Sequence, residues 1–383
     1  MINYHTIAWP ELSTEAEISI FKPVAGIPEY HVMIRLTDTK CDATEQFRRI
    51  NTTIRLLQTH LQDHTQEVML VWKRYFVSDA VNQSGFINST DNSSAVSIVQ
   101  QPPIDGTKVA VWLYFSANVH LTKDDHGIIM EHSVYRHLYH TQIFSQGADA
   151  GEQTEILFKK YIELLAAQGC TLEKHCQRTW VFVHDVDTQY AGMVAARRTC
   201  FESEGLTKDT HFVASTGIEG RYIYPETLVF MDAYAIQGIQ SEQIQYLYAP
   251  THLNPTHQYG VTFERGTAIH YGDRRHIFIS GTASINNRGE IEHPDDLLRQ
   301  TDRMFENIRT LLAEAGAGMT DVMYLIVYLR DIADYEAIAS YMRQYYPHTP
   351  QVIVWAPVCR TGWLVEAECM AVKEIGDRRF GAF

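Results

Sequence analysis

The strongest constraint on the fold of this chain is an internal threefold repeat. Three segments each begin near a glutamine, continue through an amphipathic helical pattern, and end in a β-branched and aromatic strand that stops at an aspartate. The separations are 33 residues from Gln46 to Asp79, 32 from Gln153 to Asp185 and 31 from Gln300 to Asp331. Three near-equal spacings with the same periodicity indicate three copies of one structural unit.

Flanking segments extend each copy in the same way. Strand-like sequence precedes the first helix, a second helical segment follows the strand in the last two copies, and a strand pair closes each unit. The resulting order β-β-α-β-α-β-β predicts α+β units with helices on one face of each sheet. We place the units at 1–118, 119–250 and 251–383. In the first copy, residues 83–94 ("QSGFINSTDNSS") replace the second helix and are predicted to form a loop.

Charge and cysteine content narrow the classes of partner. A net charge of −14 argues against a nucleic-acid surface, although a few buried arginines could still bind a small anion. The six cysteines form no CxxC pair, which indicates free thiols in a reducing compartment. We see neither a signal-peptide pattern nor an apolar run of membrane-spanning length. We therefore expect a cytoplasmic protein with no nucleic-acid or membrane partner.

No motif indicates a metal or a cofactor. The three histidines of "HSVYRHLYH" (132–140) do not have the spacing of a zinc site. The chain has no phosphate-binding loop, dinucleotide fingerprint or nucleophile elbow. We accordingly predict neither a metal nor a cofactor.

The segment "WAPVCRTGWLVEAECMAV" (355–372) places polar chemistry in an apolar strand pattern. When the closing strands of the three copies are aligned on a shared valine, Glu366 falls opposite Phe230 and Ala110. A glutamate that only held the strands together should recur in every copy. The asymmetry therefore favours one functional acid per chain, with a structural glutamate–arginine pair as the alternative. A two-residue turn at Thr361–Gly362 would set Cys359 diagonal to this acid on one sheet face, whereas a longer loop would break that register.

The residues from "GDRRHIFISGTASINNRGEI" to "LVEAECMAV" resemble the Rid (YjgF-type) proteins, and the first two copies share the pattern more weakly. Rid proteins are trimers with sheets inside, helices outside and ligand sites between subunits. The resemblance implies a pseudo-trimer within one chain, expected as a monomer or homodimer. With "ASTGIEGR" in the second copy and "VCR…LVE" in the third, the chain also resembles the chorismatases, which release pyruvate and a ring acid from chorismate.

The chorismatase resemblance gives two residues catalytic roles. Cleavage of an enolpyruvyl ether needs a proton on the methylene carbon, and a buried carboxylic acid such as Glu366 can supply it. Hydroxybenzoate-forming chorismatases have a cysteine at the place of Cys359, whereas those that hydrolyse chorismate to a dihydrodiol have a smaller side chain. The resemblance thus implies 3-hydroxybenzoate and pyruvate as products. Without it, a buried cysteine is usually an apolar filler.

A dicarboxylate substrate requires fixed cations, for which arginine has the matching bidentate geometry. The predicted substrate-binding residues are Arg221, Arg330, Arg360, Gly281, Ala283 and Tyr328. The glycine and alanine belong to "SGTAS" (280–284), where Rid proteins place backbone amides against a ligand carboxylate. Arg360 ranks lowest of the three arginines, and Tyr328 could equally fill the core.

Three other functions remain open. The chain could hydrolyse chorismate to a dihydrodiol, or it could be a Rid-like ligand-binding module or imine deaminase. Rid deaminases have an arginine 15 residues before the glutamate, and here that position is Gln351. An endoribonuclease, an activity sometimes attached to Rid relatives, is disfavoured by the acidic charge.

Overall fold

The computed structural model describes residues 2–62, 67–87 and 93–383, which contain three six-stranded sheets. The first sheet comprises β1 (Asn3–Trp9), β2 (Thr14–Phe21), β3 (Glu29–Leu36), β4 (Val68–Val77), β5 (Ala95–Gln100) and β6 (Val109–Ala117). The second comprises β7 (His120–Asp124), β8 (Gly127–His132), β9 (Tyr135–Phe144), β10 (Cys176–Val183), β11 (Ala214–Glu219) and β12 (Val229–Gln237). The third comprises β13 (Ile244–Leu247), β14 (Gly266–His270), β15 (Arg275–Ala283), β16 (Val322–Leu329), β17 (Gln351–Trp355) and β18 (Val365–Lys373).

All three sheets have one topology. The strand order in the first is β1-β2-β3-β6-β4-β5, and the other two sheets repeat it with their own strands. In each unit the fourth and fifth strands pair in parallel, and the remaining neighbours are antiparallel. This repetition confirms the prediction of three Rid-like α+β units in one chain.

The helices are α1 (Ala43–Leu61), α2 (Ala80–Gln83), α3 (Ala150–Ala167), α4 (Leu172–His175), α5 (Val186–Ser203), α6 (Leu297–Glu314) and α7 (Tyr335–Tyr345). The long first helix of every unit begins at an aspartate whose carboxylate accepts a backbone N–H of the first turn, which satisfies one of the free donors there. Equivalent capping in three places explains why the helices begin at equivalent positions.

The repeated glutamine ties each long helix to the closing strand of its unit. Its side-chain oxygen accepts the N–H just before that strand: Gln46 from Lys108, Gln153 from Leu228 and Gln300 from Leu364. Its amide group donates to backbone carbonyls nearby in all three units. These buried bonds satisfy backbone groups that would otherwise lack a partner, so the glutamine spacing is a structural signature.

The sheets meet at the centre of the molecule and the helices lie outside. Aromatic rings from the three sheets are in contact, with centroid distances of 4.3 Å between Trp112 and Tyr324 and 5.7 Å between Trp72 and Trp180. On its other face the first sheet packs its alternate side chains against the buried residues of α1. Because successive side chains of a strand point to opposite faces, each strand can serve the centre and its own helix layer at once.

Three details differ from the sequence prediction. Each unit has three strands before its first long helix instead of two, because the extra edge strands (β1, β7 and β13) are short or half-exposed and have weak apolar alternation. β17 and β18 do not form a hairpin, because β16 lies between them. The predicted loop at 83–94 contains the end of α2 and a 3-10 turn at Ser84–Phe86, and its residues 88–92 lie outside the described part of the chain.

The unit boundaries remain a proposal. The strand Ile244–Leu247 pairs with Gly266–His270 of the third sheet, so a boundary at 250/251 would separate two paired strands. We therefore propose that the third unit begins before Ile244. Within the described residues, no helix is long and apolar enough to cross a bilayer, and no group of three metal-ligating side chains occurs.

Candidate active site

Glu366 lies in a cavity of about 270 Å³ between the second and third units, which we name the glutamate cleft. The second unit contributes residues of α5 and the stretch Ser215–Gly217 of β11. The third unit contributes residues around Arg265, the bulged part of β15, the loop after β17, and β18. A site of this kind requires both units.

The carboxyl of Glu366 sits directly above a glycine. Glu366 is 5% exposed, and its Cα pairs with Ala283 on one side and Tyr328 on the other. The register of β15 against β18 shifts between Ile279 and Thr282, which brings Gly281 under the acid. A Cβ at Gly281 would lie 2.2 Å from Glu366 Oε1, so the space that the carboxyl occupies depends on this glycine.

Burial keeps this acid protonated at neutral pH. Desolvation and, to a lesser extent, the nearby negative charge of Glu368 raise the pKa of Glu366 to about 8, against the opposing effect of Arg265 and Arg178. Burial disfavours the charged form of a carboxyl, and a like charge does the same. At pH 7 the site therefore contains a carboxylic acid that can donate a proton.

Cys359 lines the same cavity from the loop after β17. Residues 356–364 form an irregular loop, with a turn in which the N–H of Trp363 donates to the carbonyl of Arg360. Burial, with a smaller contribution from Glu366 when it is ionised, raises the pKa of the thiol to about 12, against the lowering effect of a hydrogen bond with the Tyr190 side chain. The thiol is therefore neutral, and neutral thiols are poor nucleophiles. The predicted turn at Thr361–Gly362 is present, but Cys359 and Leu364 lie outside any strand and do not pair; the cysteine and the acid nevertheless share one cleft.

The predicted arginines separate in the structure. Arg360 lines the cleft, with its guanidinium 4.8 Å from the centroid of the Trp363 ring. Arg330 lies outside the lining and forms a bidentate ion pair with Asp187 at 2.8 and 3.0 Å. It also donates to the carbonyl of Val358, so it supports the loop that carries Cys359. A side chain at the end of a strand is free to turn sideways, and here the carboxylate at the start of α5 captures it.

Arg221 and Tyr328 also lie outside the cleft lining. Arg221 is exposed and forms a backbone bridge with Gln100 of the first unit, because β11 ends before it and the chain has left the cleft. Tyr328 is fully buried in the core, where burial raises the pKa of its hydroxyl well above the usual value. Gly281 and Ala283 of "SGTAS" line the cleft, and their contact with a substrate stays a prediction.

Two buried arginines of the cleft were not identified from the sequence. Arg197 of α5 is 1% exposed and donates to Thr262 Oγ1 at 3.3 Å. Arg265 is 4% exposed and donates to the carbonyl and side-chain oxygens of Asn254, both at 3.1 Å. In the sequence the first resembles a solvated helix residue and the second a strand-flanking charge. The tertiary structure brings Arg197 into the cavity by packing the second unit on the third, and it brings Arg265 there by pairing β14 with β15 and β15 with β18.

Sequence comparisons match the third unit. A family model for Endoribonuclease L-PSP matches residues 266–373, which include Gly281, Cys359 and Glu366. A RutC family protein from Pyrococcus abyssi (strain GE5 / Orsay) is 36% identical over 101 residues, or 26% of this chain and 79% of that protein. The 3-aminoacrylate deaminase RutC of Acinetobacter baylyi (strain ATCC 33305 / BD413 / ADP1) is 32% identical over 71 residues, or 18% of this chain and 56% of that protein.

A structural comparison extends over most of the chain. A crystal structure of a chorismatase aligns with a TM-score of 0.63 at 18% sequence identity, covering 79% of this chain and 93% of that one. The likeness concerns the fold, and it includes more than one of the three units because the coverage is far above a third.

Proposed function

Since the chain belongs to the RutC family and has the fold of a chorismatase, we propose that it is a chorismatase-like enzyme that converts chorismate to a hydroxybenzoate and pyruvate. One observation carries this proposal: the buried acid Glu366, whose pKa is raised by burial, lies in a cleft lined by three arginines, Arg197, Arg265 and Arg360. An acid and several cations in one small cavity suit a substrate with two carboxylates and a group that must be protonated.

The size and charge of the cleft support a small dianion. Its volume of about 270 Å³ lies just below the range of about 300–1,000 Å³ typical of drug-sized ligands, as expected for one six-membered ring with two short substituents. Guanidinium groups bind carboxylates in a bidentate manner. The indole of Trp363 and the side chain of Val194 supply apolar wall, which would exclude water around the ring.

The proposed first step is proton donation from Glu366 to the methylene carbon of the enolpyruvyl group. The π electrons of the carbon–carbon double bond take the proton, and the neighbouring carbon becomes an oxocarbenium bonded to the ring oxygen. The bond between the ring carbon and this oxygen then breaks, and its electrons complete the ketone of pyruvate. Protonation by a positioned acid contributes about 10²–10⁴-fold to a rate.

The fate of the ring decides the product. If the adjacent ring hydroxyl attacks the carbon that loses the ether oxygen, an epoxide forms and the hydroxyl proton returns to the Glu366 carboxylate. Opening of the epoxide with loss of a ring proton gives a hydroxybenzoate, and no water is consumed. If water instead adds to the oxocarbenium, collapse of the adduct gives pyruvate and a dihydrodiol.

We propose that Cys359 favours the aromatic product. Its neutral thiol fills space beside the acid and is held by Tyr190, which leaves less room for a water molecule near the oxocarbenium. A smaller side chain at this position would open that space. The preferred product is therefore 3-hydroxybenzoate, because the hydroxyl that attacks the neighbouring carbon can end on the carbon that carried the ether.

Incubation of the protein with chorismate tests the proposal. We expect equimolar pyruvate and 3-hydroxybenzoate, measured by coupled lactate dehydrogenase assay and by chromatography of the ring product. Pyruvate with a dihydrodiol would retain the chemistry of Glu366 and refute the role of Cys359. Absence of pyruvate, together with ammonia release from 3-aminoacrylate, would instead support the deaminase alternative suggested by the relative from Acinetobacter.

A further inference from the structure

A buried ion pair lies immediately behind the glutamate cleft, outside its lining. Arg178 of β10 and Glu368 of β18 join the second unit to the third, with 2.8 Å between Nη2 and Oε2. The two side chains are 2% and 1% exposed, and Trp180 Nε1 donates to the other carboxylate oxygen at 2.6 Å. Removing one partner of such a pair leaves a buried charge uncompensated. Because the pair lies beside Glu366, such a charge would change the electrostatic environment of that acid.

The pair is linked to the acid through one hydroxyl group. The guanidinium of Arg178 also donates to Thr216 Oγ1 at 2.6 Å. The same oxygen accepts the N–H of Gly281 at 2.9 Å, and Gly281 is the residue on which the Glu366 carboxyl rests. A continuous set of short bonds therefore runs from the ion pair to the floor under the acid.

A second ion pair of the same kind provides an internal reference. Arg74 of the first unit and Asp232 of the second are fully buried and 2.8 Å apart, and Asp232 occupies in β12 the position of Glu368 in β18. Two residues before Asp232 stands Phe230, where the third unit has Glu366. Each of these two ion pairs joins two units. Of the two, only the Arg178–Glu368 pair has a buried acid, Glu366, two residues away on the same strand.

We infer that Arg178 and Glu368 are positioning residues: Arg178, held by Glu368, acts through Thr216 and Gly281 to keep the Glu366 carboxyl aimed into the cleft, and the nearby charge of Glu368 opposes ionisation of that acid. This inference rests on the proposed function for its catalytic meaning. It concerns the state of Glu366, which can also be measured without substrate.

The charges around Glu366 set the direction of the expected effect. Its carboxyl interacts with Glu368, Arg265, Arg178, Tyr328 and Cys359. The cleft also contains Arg197, Arg360 and Tyr190. Because Glu368 is the one carboxylate among these groups, its neutralisation leaves an excess of cations that favour the ionised form of Glu366. The protonated acid would then be lost at lower pH.

The experiment compares Glu368→Gln with Asp232→Asn as a matched control. The ionisation of Glu366 is followed by infrared difference titration, with Glu366→Gln as the subtraction standard. We expect the Glu366 transition to move to lower pH by about one unit or more in Glu368→Gln and to stay in place in Asp232→Asn. An unchanged transition in Glu368→Gln, or an equal shift in the control, would overturn the inference. Failure of chorismate turnover in the wild-type protein would remove the proposed function without affecting this readout.

Thr216→Val tests whether the hydrogen bonds from Arg178 and Gly281 to Thr216 position Glu366. This variant decides the inference if Glu368→Gln does not fold. The valine keeps the shape and both charges but removes the shared acceptor. We expect kcat on chorismate to fall about tenfold or more, since small displacements of a reacting group are costly, with KM and the alkaline limb of the pH profile retained. A wild-type kcat would contradict positioning through this hydroxyl.

Discussion

Two equivalent clefts of the pseudo-trimer have very different contents. The glutamate cleft lies between the second and third units. Its counterpart between the third and first units, which we name the alanine cleft, has a volume of about 150 Å³ and is lined by Ala110, Gln351 and neighbouring residues of β2, β3 and α7. The two clefts are built from equivalent elements in the same topology, although the register shift of β15 against β18 has no counterpart in the pairing of β3 with β6.

The alanine cleft has lost both the acid and its opposing cation. Ala110 of β6 stands at the position of Glu366. The strand registers place Glu17 where the glutamate cleft has Arg265. Arg35 lies 3.4 Å from this glutamate and 3.0 Å from Glu15, so the charges of this cleft are already compensated. The common topology therefore forms a cleft at both interfaces, whereas of these two clefts only the glutamate cleft combines a buried acid with several arginines.

The same comparison clarifies the missing deaminase arginine. Its position, Gln351, lines the alanine cleft, opposite Ala110. In the glutamate cleft the equivalent residue is Ser215, by the pairing of β10 with β11 and of β16 with β17. Neither cleft combines an arginine at this position with the glutamate, because Ser215 occupies it in the glutamate cleft and Gln351 occupies it in the alanine cleft.

Glu366→Gln should have the largest effect on turnover. The amide keeps the shape of the acid but cannot donate a proton to carbon, so we expect kcat to fall by about 10²–10⁴-fold with KM little changed. Steady-state pyruvate release measures it. Glu17→Gln in the alanine cleft is the matched control and should keep wild-type kcat. Near-normal turnover in Glu366→Gln would show that another group is the acid.

Gly281→Ala should reduce activity by displacing the acid. The added Cβ would overlap Glu366 Oε1, since the two positions are 2.2 Å apart. We expect kcat to fall by about tenfold or more, with folding intact because the carboxyl can rotate away into the cleft. Gly318→Ala, where a Cβ meets nothing within 4 Å, serves as control. Equal activities of the two variants would contradict the close contact.

Cys359→Ala should change the product more than the rate. With Glu366 in place, pyruvate release should fall only about two- to fivefold, the size of a modest packing loss near a site. The extra space should admit water and shift the ring product from hydroxybenzoate toward dihydrodiol. Chromatography of the ring products measures the ratio, with Cys369→Ala as a control outside the cleft. An unchanged ratio would assign Cys359 to packing.

The last prediction concerns stability as a function of pH rather than turnover. Because burial raises the pKa of Glu366 from 4.5 to about 8, the folded state prefers its protonated form. This contribution is complete below pH 4.5 and is lost as the pH rises through 8. Glu366→Gln should therefore be more stable than the wild type by about 1–4 kcal/mol at pH 9, relative to the difference at pH 5. Urea unfolding at both pH values measures it.

A control with an exposed acid completes that experiment. Glu163→Gln, on the exposed face of α3, should leave the pH dependence of the unfolding free energy as in the wild type. If Glu366→Gln behaves in the same way as Glu163→Gln, the glutamate is solvated in the folded protein and the glutamate cleft is more open than the geometry indicates.

The sequence by itself determined the repeat, the α+β class and the asymmetric position of Glu366. Capping aspartates and the glutamine that binds the closing strand act within each unit, so their spacing is visible along the chain. The asymmetry of Glu366 was also visible in the sequence, because aligning the three copies places this glutamate opposite Phe230 and Ala110. Cys359 was found from the family resemblance, although its predicted strand pairing is absent.

Only the tertiary structure decided which cations face the acid. Arg197 lies 169 positions from Glu366 and lines its cleft because the second unit packs on the third, whereas Arg265 lies 101 positions away and lines it through the pairing of β14, β15 and β18. Arg221 and Arg330 are closer to the quoted motifs, but one leaves the cleft where its strand ends and the other is bound by Asp187. Sequence periodicity fixes the face of a strand on which a side chain lies, whereas the partner across an interface depends on how whole units meet.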